Sequence, residues 1–141
     1  MINLKDYICA LSGALGGFIA SLFGGWNSGI ITLLMFMCID YVSGIMVAGV
    51  FNNSKKTETG SLESRAGWKG LCRKGMTLII VLLAYRLDVQ IGTNYIRDAV
   101  IIGFCANEAI SIVENAGLMG IPLPDTLTKA IDILNGKSKG K

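Results

Sequence analysis

From Tyr7 to Ile39 the chain carries no charged residue, and after Asp40 the run from Tyr41 to Ser54 is again uncharged. As one helix, residues 7–54 would be about 70 Å long at about 1.5 Å per residue. The hydrocarbon core of a bilayer is only about 30 Å thick, so the stretch must fold back once. The turn is legible at Gly24, Gly25, Trp26, Asn27, Ser28 and Gly29. Glycine and asparagine are turn residues, and tryptophan suits a membrane–water interface. One span is expected at about 7–24 and a second at about 29–51. The first run is too long for a leader, lacks an A-x-A site and is followed at once by a second apolar segment, so it reads as a retained span.

Composition agrees. Hydrophobic residues make up 52% of the chain and charged residues 16%, and the mean hydropathy is +0.55. That excludes a disordered chain, a coiled coil and a disulfide-stapled secreted module. There is no histidine, which removes histidine triads, histidine zinc sites and imidazole proton shuttles. The four cysteines, Cys9, Cys38, Cys72 and Cys105, contain no CxxC pair, so neither a metal cage nor a disulfide framework is indicated. A net charge of +3 is too small to argue for nucleic acid. With no metal motif, phosphate loop or activated serine, the chain is not read as an enzyme, and no cofactor is expected.

Residues 52–74 are a different material, holding Lys55, Lys56, Arg65, Lys69, Arg73 and Lys74 against Glu58 and Glu63. They read as a polar loop whose second half lies along the membrane. Trp68, Leu71 and Cys72 would face lipid there while Lys69, Arg73 and Lys74 meet headgroups. A third apolar stretch runs from Gly75 past Arg86 and Asp88 to about Ile96, and a fourth from about Asp98 to Leu118. After the break at Gly120, Pro122 and Pro124, residues Leu123, Leu127, Ile131 and Leu134 share one face of a short amphipathic helix. Asp125 can cap its start and Asn135–Gly136 can end it. The chain therefore divides into a membrane domain over 1–121, with the basic loop 52–74, and an amphipathic helix with a basic tail over 122–141.

Charge sets the orientation. The loop holds six of the thirteen Lys and Arg residues, and Lys129, Lys137, Lys139 and Lys141 add four. Basic segments stay cytoplasmic. Four spans put both regions on that side together with the N-terminus, and turn the connections near 24–29 and 92–97 outward. Three spans would separate the loop from the tail. The expected fold is all-α and polytopic, with about four crossings.

Several residues invite two readings. Gly13 and Gly17 form a GxxxG pair, and Ser12, Gly16, Ala20 and Gly24 a second row of small residues; Gly44 and Ala48 repeat the spacing once. Such rows let helices approach closely, either inside one molecule or between copies. Asp40 is near mid-span, where a carboxylate costs about 2.5–3.5 kcal/mol on insertion scales. It either sits near an interface, or is protonated and hydrogen-bonded to Ser43, or makes a polar contact in a bundle or along a water-filled lumen. Arg86 and Asp88 either pair, with each other or with groups on neighbouring helices, or are solvated beyond a span ending at Tyr85. In the fourth segment Glu108, Ser111 and Asn115 lie at offsets 0, 3 and 7, and Asn107, Ser111 and Glu114 at 0, 4 and 7. A membrane helix with one wet face meets protein or lines water.

Three stretches resemble the phage-lysis and toxin-secretion holins of Gram-positive bacteria and their phages. Asp40-Tyr41-Val42-Ser43-Gly44 is similar to that family's Asp/Gly-containing helix before a basic loop, and SRAGWKGLCRKG (64–75) to its Ser-Gly-Gly-Lys loop. Residues 107–134 are similar to its Glu-Ser-Ile-Glu-Asn segment, Gly-x-Pro-x-Pro break and amphipathic helix; this last segment is the most specific. The resemblance implies a small protein of the bacterial cytoplasmic membrane that oligomerises and opens a large lesion, through which an endolysin or a large toxin leaves. It carries over no catalytic residue. Other readings are an antiholin-like partner of a pore-former, a small channel or transporter subunit using Asp40 and Glu108, and a structural adaptor.

Overall fold

The computed structural model of the protein describes residues 1, 3–134 and 136. The expected cap at Asn135, the basic tail Lys137, Lys139 and Lys141, and the side chain of Leu134 lie outside what is described. The described residues are all-α, in the order α1 (Leu4–Leu22), α2 (Ser28–Gly49), α3 (Ser64–Ile91), α4 (Ile96–Leu118) and α5 (Asp125–Leu134). No strand occurs among them.

Local chemistry sets the helix ends. The Asp6 carboxylate accepts from the backbone N–H of Asn3 at 3.0 Å and opens α1. Gly24 and Gly25 close it with φ of +84° and +89°, and the Gly25 N–H returns to the Ala20 carbonyl at 2.8 Å. A side chain at Gly24 would meet more than an unfavourable φ, because its Cβ would run into Arg97 Nη1 and the Tyr85 ring. Gly24 is thus a turn residue beyond the end of α1, not a member of the row of small residues on that helix. Asn27 opens α2 by accepting the Ile30 N–H on Oδ1 at 3.0 Å.

One expected boundary changes. The polar loop ends at Glu63, and Ser64 to Lys74 form the opening turns of α3, continuous with the third apolar stretch. The glycines of this segment have a packing role: Tyr41 lies over them. A Cβ at Gly67 would be 3.4 Å from the Tyr41 hydroxyl, and one at Gly70 3.9 Å from its ring.

The chain forms two compact units, residues 1–35 with 73–105 and residues 36–72 with 106–141. In the first, Leu33 and Val81 are fully enclosed, with Ala20, Ile30, Ala84 and Ile101 also buried. Helix α1 gives Ala20 to this core and leaves the rest of its apolar surface outside: Ile8, Leu11, Leu15 and Phe18 are all exposed, Leu11 at 72%. In the second unit Met37, Val47, Ala48 and Ile131 are buried. The Asn53 side chain donates to the Leu118 carbonyl at 3.0 Å, tying the loop after α2 to the end of α4. Among the described residues α2 alone is long and apolar enough, by length and composition, to cross a membrane, with a mean hydropathy of 2.1 over its most apolar window.

Candidate functional site

Each unit holds one buried polar cluster. In the second unit it is built on Asp40 of α2, 6% exposed, and Asn115 of α4, 5% exposed. Ser111 Oγ donates to Asp40 Oδ1 at 2.5 Å, and Asn115 Nδ2 reaches the same oxygen at 3.1 Å. That nitrogen also lies 2.8 Å from Ser43 Oγ and 3.3 Å from the Asp40 carbonyl. Ser43 in turn donates to the Asp40 carbonyl at 3.0 Å. A short O–H···O bond to a carboxylate is among the stronger hydrogen bonds a protein makes. The cluster offsets much of what an acidic side chain in an apolar helix would otherwise cost.

The two overlapping stripes of α4 separate clearly. Glu108 and Asn115 are buried with Ser111 half-buried between them, whereas Asn107 and Glu114 are exposed. The face that reads 108–111–115 is the inner one. Periodicity alone could not choose, because Ser111 belongs to both stripes. The approach of α4 to α2 is close where side chains are small: a Cβ on Gly44 would stand 3.8 Å from Asn115 Nδ2.

In the first unit the centre is Asp88, buried near the end of α3. Its carboxylate accepts from Thr93 Oγ1 at 2.6 Å, the Ile96 N–H at 3.0 Å and the Arg97 N–H at 2.8 Å. Asp88 therefore caps the start of α4 from the preceding helix, meeting backbone donors that the helix itself leaves open. Its partners are the α4 start and Thr93, and Arg86 is exposed; of the alternatives open from sequence, Asp88 takes none, bonding instead to Thr93 and to backbone N–H groups. Sequence reasoning missed Arg97. Nη1 of Arg97 donates to the carbonyls of Phe23 at 2.8 Å and Gly24 at 3.2 Å. The guanidinium lies 5.8 Å from the Tyr85 ring centroid and pairs with Asp98 at 3.2 Å. A single arginine at a helix start has no periodic signal; only the open carbonyls at the end of α1 hint that a donor is required.

The remaining singled-out residues divide by exposure. Gly13, Gly16 and Gly17 have open space where a side chain would stand. Ser12 is exposed and bonds back to the Ile8 carbonyl at 2.7 Å. Ala20 and Ala48 are buried. Lys69 and Arg73 are exposed beside Trp68, and Lys74 is half-buried. Among the described residues no group of three His, Cys, Asp or Glu side chains is placed to hold a metal.

A helical chain with apolar residues turned outward and Asp40, Asp88 and Glu108 turned inward suits lipid. Comparison with known proteins supplies the relationship: the bacteriophage holin family matches residues 17–136. The chain belongs to that family. Proteins similar to this chain occur in bacteria as well as in a phage. A 14.9 kDa protein from the nagH 3′ region of Clostridium perfringens is 34% identical over 97% of this chain and 99% of its own length. A Listeria monocytogenes protein is 39% identical over 89% of this chain and 83% of its own. A probable holin of Bacillus phage phi105 is 26% identical over 77% of this chain and 76% of its own. No solved structure matches the chain.

Proposed function

We propose that the protein is a pore-forming holin of the bacterial cytoplasmic membrane: copies accumulate, associate, and open a lesion through which an endolysin or a large toxin leaves the cell. The observation that carries this reading is the inverted distribution of polarity. Asp40, Glu108 and Asn115 are enclosed by one chain, while α1 turns Leu11, Leu15 and Phe18 outward. In water that arrangement exposes apolar surface and buries charge; in lipid both signs reverse.

Four crossings, with both termini cytoplasmic, fit the contacts within each unit. Arg97 binds the α1–α2 turn to the α3–α4 turn, the two connections that the charge distribution turns outward. Asn53 binds the α2–α3 loop to the end of α4, two regions it keeps inside. In the dilute state each chain covers its own polar cluster. The open glycine face of α1 receives a second copy. At a threshold density the Asp40 and Glu108 faces exchange intrachain cover for water and line the lumen. Loss of membrane potential favours that step, since moving one charge through 100 mV is worth about 2.3 kcal/mol.

Expression of the chain alone in a bacterium tests this. Dye entry should begin abruptly once the membrane level passes a threshold, and a co-expressed cell-wall hydrolase should then lyse the culture. Cells that stay viable and dye-impermeable at full membrane accumulation would contradict pore formation and favour an antiholin-like regulator.

A further inference from the structure

A groove of about 350 Å³ opens in the second unit where α3 begins, lined by Tyr41, Ile45, Leu62, Ser64, Gly67 and Trp68. Its apolar walls are left uncovered by the chain: Leu62 is 57% exposed and Trp68 67% exposed. The glycine at position 67 allows the Tyr41 hydroxyl to reach the Gly67 carbonyl at 3.4 Å, which sets the floor of the groove. Glu63 also borders it, its Oε1 accepting from Thr59 at 3.4 Å.

The groove wall carries one acidic residue, Glu63, and the helix face beside it carries two basic ones. Arg65 and Lys69, four residues apart, form an exposed stripe on α3, adjoining the Ser64–Trp68 wall at 3.6 residues per turn. The helix dipole of α3 adds to the positive field there, and Glu63, which stands directly before the helix and lines the groove, is outnumbered by these two cations. The feature thus joins an apolar slot, an aromatic rim and two cations. That is the chemistry of a lipid with an anionic headgroup, not of a soluble anion, which has no use for the slot.

We propose that this groove is a binding site for an anionic phospholipid, its phosphodiester held by Arg65 and Lys69 and its glycerol–acyl portion lying between Ile45, Leu62 and Trp68. The site rests on the membrane reading above, because it requires the start of α3 to lie at the headgroup level. It gives that reading a specific lipid partner and ties α2, which bears Asp40, to the lipid composition around it.

The full chain carrying W26F, so that Trp68 is the sole tryptophan, is reconstituted into phosphatidylcholine vesicles. A small, equal fraction of either bromo-acyl phosphatidylglycerol or bromo-acyl phosphatidylcholine is included. Trp68 should be quenched more strongly by the anionic lipid. The R65Q/K69Q variant should lose that preference, by about fivefold per charge removed. The K55Q/K56Q variant, which removes the same charge from the exposed loop, should keep it. Equal quenching by the two lipids, or an equal loss in both double variants, would overturn the site and leave only diffuse surface attraction. Flotation separates the two failures. A chain that floats with the vesicles yet shows no lipid preference refutes the site alone, while a chain that does not float refutes the membrane reading and the site with it.

Discussion

Replacing Asn115 with leucine should destabilise the protein in detergent by about 1–3 kcal/mol, the cost of leaving buried polar groups short of a donor. The Asn115 amide serves the Asp40 carboxylate, the Asp40 carbonyl and Ser43 at once, so no single neighbour replaces it. Leucine fills a similar volume, which keeps cavity formation out of the measurement. The D40L/S111A/N115L variant should recover most of the loss, because removing a buried polar cluster entirely is often neutral or stabilising where breaking it is not. That recovered protein should nevertheless fail to permeabilise cells, since its inner α2 and α4 faces can no longer hold water. Stability is read from denaturant or thermal unfolding in detergent, and function from dye entry. A triple variant that permeabilises cells with normal timing would show that the cluster has no part in the pore.

The second large effect is expected at α1. Gly13 and Gly17 meet nothing within the chain, so G13L/G17L should leave the isolated protein folded. It should even gain helix propensity, since glycine is about 0.8–1.0 kcal/mol less favourable than alanine in a helix interior. Association between copies should weaken about tenfold for each 1.4 kcal/mol of lost packing. Chemical crosslinking in membranes should show fewer oligomers, and permeabilisation should need a higher membrane level of protein. If these glycines serve packing inside one chain, the result inverts: oligomers persist and the monomer is the species that loses stability.

The main lines of the fold are readable from glycine, proline and charge. The turn at Gly24–Asn27, the break at Gly120–Pro124 and the start of α5 at Asp125 fall where the residue types put them. The opening of α3 does not: its polar, basic composition reads as a loop, whereas in the fold it is helical and Tyr41 packs on its glycines. At the polar cluster, the sequence offers two helical stripes that share Ser111, and the position of α2 decides between them. Asp40 and Ser111, separated by 71 positions, share no local signal at all. Asp88 illustrates the same limit: nearby Arg86 is the obvious electrostatic partner on paper. The chain instead uses Asp88 against backbone N–H groups at the next helix start, where an unmet donor would cost more than a solvated arginine gains. Sequence reasoning left open whether a polar helix face meets protein or lines water, and a single chain encloses Asp40, Asp88 and Glu108 by itself.

That enclosure makes the central claim directly measurable. In a variant with Cys9, Cys38, Cys72 and Cys105 replaced, a single cysteine at Ser111 reports whether the inner face of α4 meets water. A small, charged, membrane-impermeant thiol reagent is applied to cells before and after the onset of dye entry. A lumen lined by the polar cluster requires protection before onset and rapid modification after it. Equal modification at both times, or continued protection in cells that have become fully permeable, would contradict it.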